Sequence, residues 1–291
     1  MKLKQTLSAR VRGFTLIELL AVAAVVIALA CLRLPALAKT KPHGELYVCQ
    51  NNARQLALAA LVYSEDFNGK WVGNGRGTDT LVDVLNPPAG FVEKYWSEGR
   101  EQDVLTDENR ANALASPKFC LLAPYLKSTG SYHCPSDKPV VIANRTFFRV
   151  RNFGMNLFFG WNDLATFANE PSAAFKVFRK VSEVPRPAAF FLYGEIHPYS
   201  ICRPAFGTHP GGGSLMSHYP ANYHGRITTF SFADGHAEGH KWASEFMNNP
   251  SLPNNFADPV WHDHASAHPD KNKPQVLNDI AWLNEHATEL K

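Results

Sequence analysis

Five residues of metal-ligand type fall within seventeen positions near the C-terminal end: His224, Asp234, His236, Glu238 and His240. On an extended strand His236, Glu238 and His240 would share one face, which is a permissible arrangement for a metal site. Residue type and spacing do not by themselves fix a ligand geometry. The set therefore reads as an aspartate serving a turn, followed by solvated strand residues. The tail 261–270 is also rich in His and Asp. Asp258, Asp263 and Asp270 offer oxygen ligands there but no EF-hand pattern, so it reads as a solvated loop. No cofactor is expected, with calcium or another divalent metal as the alternative.

Other reactive patterns are absent. There is no G-x-S-x-G nucleophile elbow, no phosphate-binding loop, no HExxH and no Cys-x-x-Cys. Gly211-Gly212-Gly213-Ser214 reads as a flexible loop. The five cysteines are Cys31, Cys49, Cys120, Cys134 and Cys202. Cys31 lies in an apolar run and reads as a small packing residue. The sequence predicts a protein without intrinsic catalysis. A metal-dependent extracytoplasmic hydrolase and a membrane-tethered binding module are the alternatives.

The N-terminus holds one more group out of place. Lys2, Lys4, Arg10 and Arg12 precede an apolar run of nineteen residues, 14–32, and Glu18 sits inside it. Such a run is close to the roughly 20 residues that cross a bilayer, and basic residues before it would hold the N-terminus in the cytoplasm. A carboxylate in a membrane span is costly and points to function. A secretory signal cleaved after Ala38 and a plain membrane anchor compete with a third reading. The first is opposed by the length of the run, and the second leaves Glu18 without a role.

The elements that position these residues follow from patterning. Across 291 residues, 45% hydrophobic and 19% charged, the chain has the balance of a packed globule. A net charge of +3 with no basic, aromatic-interleaved stripe argues against a nucleic-acid partner. Cys49, Ala53, Leu56, Ala60, Tyr63 and Phe67 form an apolar stripe at helical spacing that ends at Asn68-Gly69. Pro35 predicts a kink in the helix that precedes this stripe, and Pro42 a kink or short break. Residues 140–150 and 153–161 are strand candidates, and 188–194 reads as a short buried strand. Residues 227–233 and 236–242 read as a hairpin about a two-residue Asp234-Gly235 turn, with His224 close by. Val276, Ile280 and Leu283 predict a terminal helix.

The third reading of the N-terminus rests on resemblance. Gly13-Phe14-Thr15-Leu16-Ile17-Glu18-Leu19-Leu20 resembles the processing site of type IV prepilins and type II secretion pseudopilins. The resemblance implies cleavage by a prepilin peptidase between Gly13 and Phe14, methylation of Phe14, and a role for Glu18 in assembly. Pro35 falls where that family often carries a helix-kinking proline. His224, nine residues, then Asp234-Gly235 resembles the C-terminal signature of a prepilin-like family named for its H-x9-DG motif. Cys49-Gln50-Asn51-Asn52, Cys134-Pro135-Ser136-Asp137 and Gly154-Met155-Asn156 are similar to landmarks of the same family. Cys49 and Cys134 are the favoured disulfide pair because both match such landmarks.

Together these readings imply an α+β fold, with a long kinked N-terminal transmembrane helix packed on an antiparallel sheet. The expected segments are a leader (1–13), a membrane span (14–32), an outer helix (33–67), a globular domain (68–247) and an extension ending in a helix (248–291). The expected setting is a single-pass protein of the inner membrane, its C-terminal domain in the periplasm or a pilus. The expected partners are the prepilin peptidase, other pilin-like subunits and an inner-membrane assembly platform.

Overall fold

The computed structural model describes residues 15–74, 112, 114–118, 120–142, 145–147, 149–161, 174–197, 204–211, 218–244 and 273–291, with the side chains of 27–43 and 140–148 left aside. Gly13, Phe14, Cys202 and the His/Asp-rich tail 258–270 lie outside these residues. The chain divides into two compact units, Met1–His43 and Gly44–Lys291.

Helix α1 spans Leu16–Asp66. It starts at Thr15, whose backbone N–H and hydroxyl both donate to Glu18 Oε2 at 2.8 Å, while the Glu18 N–H donates to the Thr15 hydroxyl at 3.3 Å. This reciprocal T-x-x-E box satisfies the first free N–H groups of the helix. These bonds, the backbone one first, hold the Glu18 carboxyl below its ordinary range. The helix ends as the sequence predicts. Asn68 and Gly69 take left-handed φ of 55° and 75°, and the Gly69 N–H closes back on the Ser64 carbonyl at 2.8 Å.

Two expectations about α1 are corrected. The helix is unbroken through Pro42, so the predicted break is not there; it also continues through Pro35, whose side chain lies outside the described set. More importantly, no helix among the described residues is long and apolar enough to cross a membrane. The membrane span over 14–32 and the single-pass inner-membrane setting are therefore not supported.

The second unit is built on a sheet. Its strands are β3 (Phe153–Asn156), β4 (Phe191–Glu195), β5 (Ala205–Phe206), β6 (Ile227–Phe232) and β7 (Ala237–Lys241), in the order β5-β3-β4-β6-β7. A separate hairpin pairs β1 (Val140–Ile142) with β2 (Arg145–Phe147). The sheet is mixed, where an antiparallel one was expected, because β5 pairs parallel with β3. After β4 the chain steps over the antiparallel β3 to its outer side, and arriving from that direction it must run with β3.

The sheet has two differently built faces. Phe153, Met155 and Tyr193 pack against the stripe of α1, where Cys49, Ala53, Leu56 and Ala60 are fully buried. On the other face lie Phe206, Phe230, Phe232 and Trp242, covered by helix α2 (Pro274–Glu285) through Ile280 and Leu283. A bulge between Phe191 and Tyr193 shifts the register and aims Tyr193 and Glu195 at α1. Gly154 and Gly194 face each other across β3 and β4. A methyl on Gly194 would sit 2.7 Å from Phe230 Cε1, so the missing side chain is what lets that ring lie on the sheet.

Candidate functional site

Four buried side chains from four distant parts of the chain meet where α1 crosses the sheet: Cys49, Cys134, Glu195 and His224. Cys49 opens the buried stripe of α1. Cys134 follows the 3-10 turn Thr129–Tyr132. Its N–H donates to Asn152 Oδ1 at 2.6 Å, and Asn52 of α1 donates to the His133 carbonyl at 2.9 Å, which ties this loop to the helix. Glu195 is the last residue of β4. His224 lies in the turn before β6, where Gly225 and Arg226 both adopt left-handed φ.

The four ligand-type atoms all lie within 4.8 Å of one another. Cys49 Sγ donates to Glu195 Oε1 at 2.6 Å. Cys134 Sγ and His224 Nε2 are 3.3 Å apart, and His224 Nε2 stands 3.8 Å from Glu195 Oε1. Glu195 Oε2 accepts the Thr229 N–H at 2.8 Å, which fixes the carboxylate plane. His224 Nδ1 is buried with no hydrogen-bond partner. Cys49, Cys134 and Glu195 are 0% exposed and His224 7%.

Such groups perturb one another strongly. Burial opposes charge on His224, yet its contacts with Cys134 and Glu195 outweigh this and push it up to about 10. Burial likewise opposes ionisation of Glu195, but His224, Cys49 and the Thr229 N–H hold its carboxyl below the ordinary value. The Cys49 thiol is raised well above its usual range, by burial first and then by Cys134 and Glu195. With protons alone Glu195 and His224 thus form an ion pair beside the neutral Cys49 thiol. Thiols, unlike thiolates, are poor nucleophiles.

The sequence-predicted residues separate. Cys49 and Cys134 do meet, but as free thiols and not as a disulfide. His224 and Asp234-Gly235, expected to be close, sit at opposite ends of β6. The spacing between them spans that strand, which packs Gly235 against Leu58 of α1. The hairpin itself is present, with Ser231 opposite Ala237. Its loop has three residues where two were expected: Phe232 and His236 close it, and Gly235 alone is left-handed, at φ 92°. Asp234 accepts from the His236 N–H at 3.0 Å and lies 2.6 Å from its ring Nδ1, so it serves the turn. His236, Glu238 and His240 do share a face, but it is the α2 face, where His240 stacks on Trp282 with ring centroids 3.5 Å apart.

Glu195 escaped the sequence reading. Its signal was an acidic residue directly continuing the apolar run that ends at Gly194. A carboxylate in a buried strand needs a partner, and the partner was His224. Comparison with known proteins gives no match: no family model, no curated protein and no solved structure is similar to this chain.

Proposed function

We propose that the chain is a pilin-like structural subunit, processed by a prepilin peptidase between Gly13 and Phe14, that joins other pilin-like subunits on an assembly platform. The observation that carries this reading is the bare start of α1. Leu16, Ile17, Leu19, Leu20, Val25 and Val26 are between 58% and 79% exposed. Apolar surface of that extent on one helix seeks cover, and the same stretch of neighbouring subunits supplies it by helix-to-helix packing. The Gly-Phe-Thr-Leu-Ile-Glu run supports the same reading. Cleavage creates a positive amine at Phe14, and Glu18 is the acidic group available to match it, within one subunit or across two.

The Thr15–Glu18 box gives Glu18 a second, local role, so the test must separate charge from capping. Glutamine can complete a capping box as glutamate does. Glu18→Gln is therefore expected to leave cleavage and the outer domain intact and to abolish incorporation into assemblies. Mass spectrometry should find a mature N-terminus at methylated Phe14. Assembly of Glu18→Gln at the wild-type level, or a mature terminus at Lys39, would overturn the reading.

A further inference from the structure

We infer that Cys49, Cys134, Glu195 and His224 form a closed structural site for a thiophilic divalent cation, zinc being the ion that fits best. The inference is independent of whether the chain assembles, because the cluster lies wholly within the second unit.

Geometry comes first. A tetrahedral zinc ion with bonds of about 2.0–2.3 Å places its ligand atoms about 3.3–3.8 Å apart. Here the Cys134–His224 and His224–Glu195 separations are 3.3 and 3.8 Å. The Cys49–Glu195 contact of 2.6 Å would open as both atoms turn toward the ion. Two sulfurs, one imidazole nitrogen and one carboxylate oxygen make a donor set that favours zinc over calcium or magnesium, which prefer oxygen alone. All four side chains are buried, so no coordination position is left open to solvent and the site is structural in kind.

The metal-free alternative accounts for less. Buried cysteines ordinarily behave as small apolar residues, yet here both sulfurs turn toward a carboxylate and an imidazole. A divalent ion would be held by two thiolates, a carboxylate and a neutral imidazole, the thiol protons leaving to solvent. The Thr229 N–H on Glu195 Oε2 is the kind of outer bond that orients a ligand.

The full chain, purified from medium containing zinc, should retain one zinc per chain through gel filtration. A strong chelator should remove it and lower the thermal midpoint. Cobalt put in its place should give the intense near-ultraviolet bands of thiolate coordination. Glu195→Gln should weaken zinc binding about tenfold or more, and Cys134→Ser should remove part of the thiolate band. Asp234→Asn, outside the cluster, should change neither. Three results would overturn the inference: no metal with Cys49 and Cys134 both titrating as thiols after unfolding, a Cys49–Cys134 disulfide, or zinc binding indifferent to Cys134→Ser and Glu195→Gln. The first and second are read on the unsubstituted protein and do not depend on a variant folding.

Discussion

The two faces of the central sheet solve the same packing problem by opposite means. Toward α1 the sheet meets small residues, Cys49, Ala53, Ala57 and Ala60, and the close approach this allows surrounds a knot of ionisable groups. Toward α2 it meets rings: Phe230 lies 5.1 Å from Phe191, 5.4 Å from Trp282 and 6.2 Å from Trp242, centroid to centroid. Aromatic packing is broad and forgiving of small shifts. A buried charged cluster tolerates a missing member poorly, because removing one leaves its partner charge buried and unpaired. The α1 face therefore specifies one arrangement, while the α2 face contributes bulk.

The sharpest way to break this contrast is to orphan a charge. In chelator-treated protein, His224→Ala is expected to cost about 3–5 kcal/mol, since it leaves the Glu195 carboxylate buried without its partner. Replacing both His224 and Glu195 by leucine should recover much of that loss. Urea denaturation measures both, and a double variant no better than the single one would mean that shape and not charge dominates this face.

On the other face, Phe230→Leu should cost less, about 1–2 kcal/mol, because neighbouring rings can close in on the smaller side chain. The urea midpoint should fall with its slope unchanged. A loss as large as that of His224→Ala would erase the contrast between the faces.

A further effect on this face is one of pH. Burial first, and His286 after it, lower His240 from 6.5 to about 4, with Asp279 pulling the other way. The folded state thus resists a proton that the unfolded chain accepts. Stability from this site is full above about pH 6.5 and declines as pH falls toward about 4. Comparing urea midpoints at about pH 7.5 and 4.5 should show a smaller drop in His240→Gln than in the unsubstituted protein, and an equal drop would dismiss His240 as its source.

Local patterning made much of this fold legible. The α1 stripe, the buried strand read over 188–194 and found at Phe191–Glu195, the β6–β7 hairpin and the terminal helix each follow from apolar spacing and turn residues within a dozen positions. The parallel β5 was out of reach, since two residues carry no pattern and their direction depends on a chain crossing. The apolar run 14–32 has the length and flanking charges of a membrane span, yet no helix among the described residues is long and apolar enough to cross a membrane. Thr15 and Glu18 also spell a T-x-x-E capping box, which the isolation of Glu18 in an apolar run obscures. For the site, Cys49 and Cys134 read as a disulfide pair and His224 as part of a separate C-terminal motif. Their convergence is a property of the fold, and Glu195, which links them, had no motif of its own.

The borders of the sheet carry a last implication. At one border β5 is only two residues long and buried, and at the other β7 exposes Glu238 and Lys241. Among the described residues neither offers a long, flat, uncharged row of free backbone groups, which is what a neighbouring chain would need in order to extend the sheet. Growth into fibres by strand addition is thereby discouraged at both sides.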